Sequence, residues 1–310
     1  MPRVKSLARL GHKLLALLGI SWRPGVPHSG PAKAKANGLE IAYETFGRES
    51  NPAILLVMGF AQSMVEWDVE FCTRLASHGF RVIRFDNRDA GRSSRADKGT
   101  YKLGDMAEDA AGLLDALGIK RAHLVGVSMG GMIAQILAAS HPERALSLTS
   151  IMSTTGDALL PPPTPQAMQA LMRRAPSDRE GFIAHCRDIW RILRAREFPQ
   201  DEARDRARAE LLFDYGVDPE GASRQLIAVS ISGSRTRLLK SVACPTLVIH
   251  GEADPLLPVA HGVATAEAIP GAKLKVIPQM GHAMPVEFWD ELVDAIAGHC
   301  AHAGDDRIAA

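Results

Sequence analysis

Cysteine is scarce in this 310-residue sequence, and its cysteines are far apart. They form no Cys-x-x-Cys pair and no cysteine–histidine spacing of the kind that binds zinc. This excludes a disulfide framework and a zinc-based fold, and it favours a reduced, cytoplasmic protein with neither metal nor cofactor. The four positions are Cys72, Cys186, Cys244 and Cys300.

Excess charge and long apolar runs are also missing. The formal net charge is +1, which gives no reason to expect nucleic acid as a partner. The apolar run from Leu14 to Ile20 is much shorter than the roughly 20 residues that span a bilayer, and no signal-peptide cleavage pattern follows it. The leucines of residues 1–20 fall on one helical face with basic residues around it. This predicts a short helix or mobile extension, with weak contact to a membrane surface as the alternative.

Strand-like and helix-like segments alternate through the first half of the chain. Asn37-Gly38 suits the tight turn of a hairpin, because the residues after it alternate between apolar and polar. Continuous apolar runs of the kind found in buried parallel strands follow, separated by amphipathic segments. This order predicts an α/β fold with a doubly wound, mostly parallel sheet. The predicted buried strands lie at Ala53–Met58, Phe80–Asp86, Ala122–Val127, Ala145–Ile151, Pro245–Gly251 and Ala272–Pro278.

The alternation of strands and helices breaks in the second half of the chain. Residues 154–240 contain no convincing buried strand but several helix-like stretches. We therefore predict a core domain, residues 37–153 and 241–300, interrupted by a helical cap at residues 154–240. Residues 1–36 are predicted to be an N-terminal extension, and residues 301–310 a C-terminal tail.

Three glycines surround Ser128 in the stretch "GVSMGG". A strand-like run precedes this G-x-S-x-G pattern and a helix-like run follows it, as in a nucleophile elbow. Such a turn holds the serine in a strained conformation that only small neighbours permit. The hydroxyl would project from the carboxyl edge of the sheet, toward which a helix N-terminus also points. The pattern therefore predicts that Ser128 is a catalytic nucleophile.

A serine nucleophile needs a base to take its proton and a carboxylate to orient that base. In folds with this elbow, the order along the chain is serine, acid, histidine. Asp254 follows one predicted strand and His282 follows the next, so both loops open on the same sheet edge as Ser128. We predict a catalytic triad of Ser128, His282 and Asp254. Glu252 and Asp157 are the alternative candidates for the acid.

Several stretches carry a family resemblance. "GVSMGG", "HGEADPLLP", "GHAMP" and "FDNRDAGRSS" resemble the motifs of α/β-hydrolases with a helical cap, over roughly residues 37 to 300. "LLVMGFAQSMVEW" and "RDAGRSS" are similar to the aclacinomycin methylesterase branch, serine esterases that act on a polyketide methyl ester. The resemblance implies a carboxylic ester hydrolase with a small-molecule substrate. It also implies that Asp86 and Arg88 fix a structural loop.

By the same resemblance, two backbone N–H groups form an oxyanion hole. One follows the serine and the other lies in the loop after the first parallel strand. These positions correspond to Met129 and Phe60, with Gly59 as the fallback for Phe60. Many relatives have His-Gly in this loop where this chain has Met58-Gly59, which leaves open how the loop is held.

Apolar side chains close to these motifs are candidates for contact with the substrate. They are Met64, Trp67 and Met284, and core packing is the alternative interpretation of each. The leading hypothesis is a serine esterase for a medium-sized apolar ester, with the cap selecting the substrate. The alternatives are a carbon–carbon bond hydrolase with the same triad, a ligand receptor of the same fold, and a proline iminopeptidase. The last would need acidic residues in the cap, and the candidates are Glu210, Asp214 and Asp218.

Overall fold

The computed structural model describes residues 25–96, 99–194 and 201–305, in which eight strands form one sheet. The strands are β1 (His28–Ala36), β2 (Leu39–Phe46), β3 (Ala53–Val57), β4 (Arg81–Phe85), β5 (Ala122–Val127), β6 (Ala145–Ile151), β7 (Thr246–Gly251) and β8 (Lys273–Ile277). Their order across the sheet is β1-β2-β4-β3-β5-β6-β7-β8. The strands from β4 to β8 in this order run parallel, and only the β1–β2 and β2–β4 pairs among the described strands are antiparallel. This mostly parallel sheet confirms the predicted fold class.

Helices cover both faces of the sheet. They are α1 (Val69–Ser77), α2 (Leu103–Ala116), α3 (Met129–Ser140), α4 (Pro165–Met172), α5 (Arg179–Leu193), α6 (Glu202–Tyr215), α7 (Pro219–Ser232), α8 (Thr236–Leu239), α9 (Ala260–Ala268) and α10 (Trp289–Asp305). Helices α1 and α10 pack on one face, and α2 and α3 pack on the other. Every residue of β5 is buried, which explains why apolar residues dominate this strand.

The sheet domain extends beyond the predicted core boundaries at residues 37 and 300. Asn37 and Gly38 join β1 to β2 with φ angles of 48° and 78°, the left-handed conformation that a two-residue hairpin turn requires. The sheet therefore begins before residue 37, where the core was predicted to start. At the other end, α10 continues past residue 300 to Asp305.

Helices α4 to α8 follow one another between β6 and β7, and the described part of residues 154–240 contains no strand. Helices α5 and α6 share a small apolar core of their own. The segment also docks onto the sheet domain. The Tyr215 hydroxyl donates a hydrogen bond to Asp86 (2.9 Å), and Arg224 forms a two-point ion pair with Asp89 (3.0 and 2.8 Å). We call this helical segment the cap.

Arg235 joins the two ends of the cap. Its buried guanidinium donates to the carbonyl of Thr154 (2.8 Å), shortly after β6, and to the carbonyl of Gly233 (3.0 Å), at the end of α7. Its backbone N–H donates to the Thr155 carbonyl (2.7 Å). Burial lowers the pKa of Arg235 to about 10, so the side chain remains charged at neutral pH. The cap therefore leaves and rejoins the sheet domain at adjacent points.

None of the helices in the described ranges is both long and apolar enough to cross a bilayer. The predicted helix or membrane-contacting extension at residues 1–20 lies outside the described residues.

His123 should make the stability of the protein depend on pH. Its side chain is buried in β5 beside Ser147 (Nδ1–Oγ, 2.9 Å), and burial lowers its pKa to about 4. An unfolded histidine titrates near 6.5, so between about pH 6.5 and 4 the unfolded chain binds one more proton here than the folded chain. The free energy of unfolding should therefore fall with falling pH by at most about 1.4 kcal/mol per pH unit from this site.

His123→Gln should flatten this dependence, since glutamine does not titrate. Urea unfolding of both proteins from pH 7 to pH 5 would measure the difference. Identical slopes would show that His123 contributes nothing to it.

Candidate active site

Ser128 alone forms the turn between β5 and α3. Its φ of 55° and ψ of −120° place it in a strained backbone conformation. Side chains would not fit beside it. A Cβ on Gly126 would lie 2.1 Å from the Gly130 oxygen, and a Cβ on Gly130 would lie 2.1 Å from the Val57 oxygen. The glycines therefore allow the start of α3 to pack directly against the ends of β5 and β3.

The three predicted catalytic side chains meet at one point. His282 Nε2 lies 3.0 Å from Ser128 Oγ, and His282 Nδ1 lies 2.7 Å from Asp254 Oδ2. Because an ionised carboxylate can only accept hydrogen bonds, the ring proton belongs on Nδ1. Nε2 is then free to accept the proton of the serine hydroxyl. This is the tautomer that a general base for Ser128 requires.

Asp254 is held through both of its oxygens. Oδ2 accepts from His282, and Oδ1 accepts from the backbone N–H groups of Leu256 (2.9 Å) and Leu257 (2.8 Å). Burial alone would raise the pKa of Asp254. The interaction with His282, including its hydrogen bond, and the Leu257 N–H outweigh burial and hold this pKa below its ordinary value. Asp254 is therefore ionised at neutral pH.

The other two candidates for the acid lie elsewhere. Glu252 is exposed at the surface, and Asp157 accepts a hydrogen bond from the backbone N–H of Leu159 (3.0 Å). Asp254 instead lies in a loop that is tied to the histidine loop, because the Ala253 N–H donates to the Met280 carbonyl (3.0 Å).

His250, in β7, supports the turn that carries the acid. Its side chain is completely buried, and its Nε2–H donates to the Leu257 carbonyl (2.7 Å). This fixes the turn whose N–H groups bind Asp254. Burial lowers the pKa of His250, which keeps the ring neutral. No sequence motif singles out this histidine, since a histidine inside a strand is usually a core residue. Its spacing of four residues from the acid is the one signal that could have found it.

The loop after β3 passes beside the nucleophile. A Cβ placed on Gly59 would lie 3.4 Å from the Ser128 Cβ, so Gly59 and Phe60 run directly past the elbow. The Asn87 side chain donates to the Met58 carbonyl (2.9 Å), and this bond holds the loop that lacks the His-Gly pattern. The assignment of the Phe60 and Met129 N–H groups to an oxyanion hole stays a prediction.

The segment around Asp86 holds the same loop from its far end. Asp86 is fully buried, and its Oδ1 accepts from the Met64 N–H (2.6 Å). Its Oδ2 accepts from Tyr215 of the cap, so one carboxylate contacts both the loop and the cap. Arg88 makes a different contact, since its guanidinium pairs with Asp109 of α2 (2.5 Å).

A cavity of about 520 Å³ lies between the cap and the loop after β3. Phe60 and Ala61 line it, whereas Ser128 and His282 do not. Leu193 also lines it, and the Leu193 carbonyl accepts from the His282 backbone N–H (2.8 Å), so the cavity lies beside the triad. Its apolar lining includes Phe182, Ile189, Trp190, Leu193, Leu212 and Leu226. No sequence motif marks these side chains, because their position depends on how the cap is oriented. No group of His, Cys, Asp and Glu side chains within the described ranges is placed to hold a metal ion.

The predicted substrate contacts of Met64 and Trp67 need correction. Both side chains are 0% exposed, and neither lines the cavity. A one-turn 3₁₀ helix from Met64 to Glu66 turns this segment inward, and the Trp67 ring packs in the core against Phe71. Met284 is half-buried at the edge of the same core and does not line this cavity either.

Residues 52–288 match the alpha/beta hydrolase fold family. The chain belongs to this family. It is 34% identical over 278 residues to rhodomycin D methylesterase DauP of Streptomyces sp. (strain C5), and 33% identical over 278 residues to rhodomycin D methylesterase DnrP of Streptomyces peucetius. Each alignment covers 83% of this chain and 93% of the relative. The crystal structure of the enol-lactonase from Burkholderia xenovorans LB400 matches with a TM-score of 0.72 at 25% identity, covering 87% of this chain and 100% of that one.

These matches place the α/β-hydrolase in the branch that its motifs predict. Both relatives are named as methylesterases, which agrees with the predicted carboxylic ester hydrolase.

Proposed function

We propose that this α/β-hydrolase is a serine carboxylic ester hydrolase with Ser128, His282 and Asp254 as its catalytic triad. The observation that carries the proposal is the unbroken line of hydrogen bonds from Asp254 through His282 to Ser128. The strained turn at Ser128 also supports the proposal, because a turn of this kind places the serine hydroxyl at the edge of the sheet.

In the proposed reaction, Ser128 Oγ attacks the ester carbonyl while His282 Nε2 takes the hydroxyl proton. The negative charge on the carbonyl oxygen is stabilised by the N–H groups of Met129 and Phe60. His282 then gives its proton to the leaving alcohol, and an acyl-enzyme forms. Water repeats the same steps and releases the acid. Asp254 stays ionised throughout and stabilises the imidazolium.

The volume of the cavity supports a medium-sized substrate, and its lining offers apolar side chains together with charged ones such as Asp89 and Arg173. Its volume of about 520 Å³ falls within the range of about 300–1,000 Å³ typical of small-molecule pockets. Because the cavity lies beside the triad, it would hold the larger part of the substrate, and the ester group would reach Ser128 past Phe60. A methyl ester, as in the names of the two relatives, would place only a small alcohol at the triad.

An aminopeptidase reaction has less support. A free amine would need a carboxylate that is not already neutralised, whereas the three acidic candidates in the cap are all paired with arginine. The pairs are Asp214 with Arg179, Glu210 with Arg206, and Asp218 with Arg95. Hydrolysis of a carbon–carbon bond uses the same triad and stays an alternative.

Steady turnover of a short-chain p-nitrophenyl ester is the expected result for an enzyme. Each molecule should complete many cycles, with a KM in the range of about 1 μM to 1 mM. Stopped-flow measurement of p-nitrophenol release distinguishes an enzyme with steady turnover from a receptor that reacts only once. A single burst of one equivalent followed by no turnover would contradict the proposed enzyme.

A further inference from the structure

Gln225 connects the cap to the loop that passes the nucleophile. It lies on α7, and its side chain is 0% exposed. Its Oε1 accepts from the backbone N–H of Ala61 (2.8 Å), and its Nε2 donates to the carbonyl of Arg88 (2.8 Å). One buried amide therefore bridges the cap, the loop after β3 and the segment around Asp86.

The two partners of Gln225 fix the orientation of its amide. Ala61 presents an N–H donor, and Arg88 presents a carbonyl acceptor. A flipped amide would place its NH₂ group opposite the Ala61 N–H and its oxygen opposite the Arg88 carbonyl oxygen. Leaving buried polar groups unsatisfied in this way costs about 1–3 kcal/mol each. The side chain thus has one satisfied orientation, which makes it a rigid connection.

Ala61 is an unusual residue for such a connection. Its φ of 56° lies in the left-handed region, which an alanine adopts only when its surroundings impose it. The preceding residue is Phe60, whose N–H is the proposed oxyanion donor. The hydrogen bond from the Ala61 N–H to Gln225 fixes the peptide between Phe60 and Ala61. This limits the directions in which the Phe60 N–H, one peptide earlier, can point.

We infer that Gln225 is a positioning residue for the oxyanion hole, and this inference rests on the proposed esterase function. With Gln225 bound to Ala61, the loop after β3 keeps the Phe60 N–H aimed at the carbonyl oxygen of the ester. Without these two hydrogen bonds, that constraint on the loop is lost.

The test compares Gln225→Met with the wild type and with Ser232→Ala. Methionine has a similar volume but keeps neither hydrogen bond. Ser232 lies on the same helix and accepts from the Leu103 N–H (2.9 Å), so its replacement removes a contact between cap and core that does not touch the loop. Gln225→Ala removes the same two bonds with less bulk, and it serves as the second variant if the methionine variant does not fold.

We expect Gln225→Met to lower kcat by about 10- to 100-fold, with KM changed by less than about threefold, since a misplaced donor costs less than a deleted one. A matched pair of substrates, an ester and its thionoester, reports on the hole itself. Sulfur is larger and a weaker acceptor than oxygen, so a well-aimed hole favours the ester. The ratio of kcat/KM for ester over thionoester should fall in Gln225→Met and stay unchanged in Ser232→Ala.

Two results would overturn the inference while the esterase stands. One is a Gln225 variant with wild-type kcat and an unchanged substrate ratio. The other is a lower kcat with an unchanged ratio, which would mean that Gln225 only stabilises the fold. Failure of the esterase proposal looks different, because the wild type would then show no ester hydrolysis that depends on Ser128.

Discussion

Ser128→Ala is expected to lower kcat by about a million-fold, by analogy with other serine triads. The substitution removes the oxygen that forms the acyl-enzyme, while His282 and Asp254 keep their hydrogen bond. Alanine at φ 55° carries about the same strain as serine, so the variant should fold. Initial rates with a p-nitrophenyl ester, and labelling by a fluorophosphonate, would measure the loss.

Ser153→Ala is the matched control for this variant. The Ser153 hydroxyl donates to the Ser128 carbonyl (2.8 Å), so it lies at the elbow without facing the triad. Its loss removes one hydrogen bond, worth about 0.5–1.5 kcal/mol, and activity should stay within about tenfold of wild type. A folded Ser128→Ala variant with activity close to that of this control would remove Ser128 from the role of nucleophile.

Asp254→Asn is expected to lower kcat by about 10⁴-fold, because the amide reverses the polarity of the hydrogen bond to His282. An Asn Nδ2–H facing Nδ1 would move the ring proton to Nε2, and a protonated Nε2 cannot accept the proton of Ser128. The side-chain shape is preserved, and the Asn oxygen can still accept from Leu256 and Leu257. The protein should therefore fold. Thermal unfolding checks the fold, and steady-state kinetics checks the rate.

Glu252→Gln makes the same chemical change two residues away and serves as the control. Glu252 is exposed, so this variant should keep activity close to that of the wild type. If Glu252→Gln were the damaging change and Asp254→Asn harmless, Asp254 would not be the acid of the triad.

The three residues of the proposed triad each lie in a local sequence pattern at the end of a strand, and these patterns were the basis for selecting them. The carboxyl ends of parallel strands share one edge of the sheet, so order along the chain was enough to bring Ser128, Asp254 and His282 together. The turn at Asn37-Gly38 could be predicted for the same reason, since its geometry depends on two neighbouring residues.

Contacts between distant segments could not be predicted in this way. Gln225 and Ala61 are separated by 164 positions, and no local pattern links a glutamine on a cap helix to a loop after the first parallel strand. The cavity lining depends on the orientation of the cap for the same reason. Met64 and Trp67 lie close in sequence to the proposed oxyanion hole, but a single 3₁₀ turn points them into the core.

The bridge made by Arg235 has a consequence for how this protein can diverge. The cap begins and ends at neighbouring points held by one guanidinium, so insertions, deletions and substitutions within it need not shift any strand. Under the proposed function, substrate preference can then change over evolutionary time while Ser128, His282 and Asp254 keep their positions. Gln225 limits this freedom, since a cap that no longer reaches Ala61 would bind a new ester yet convert it slowly.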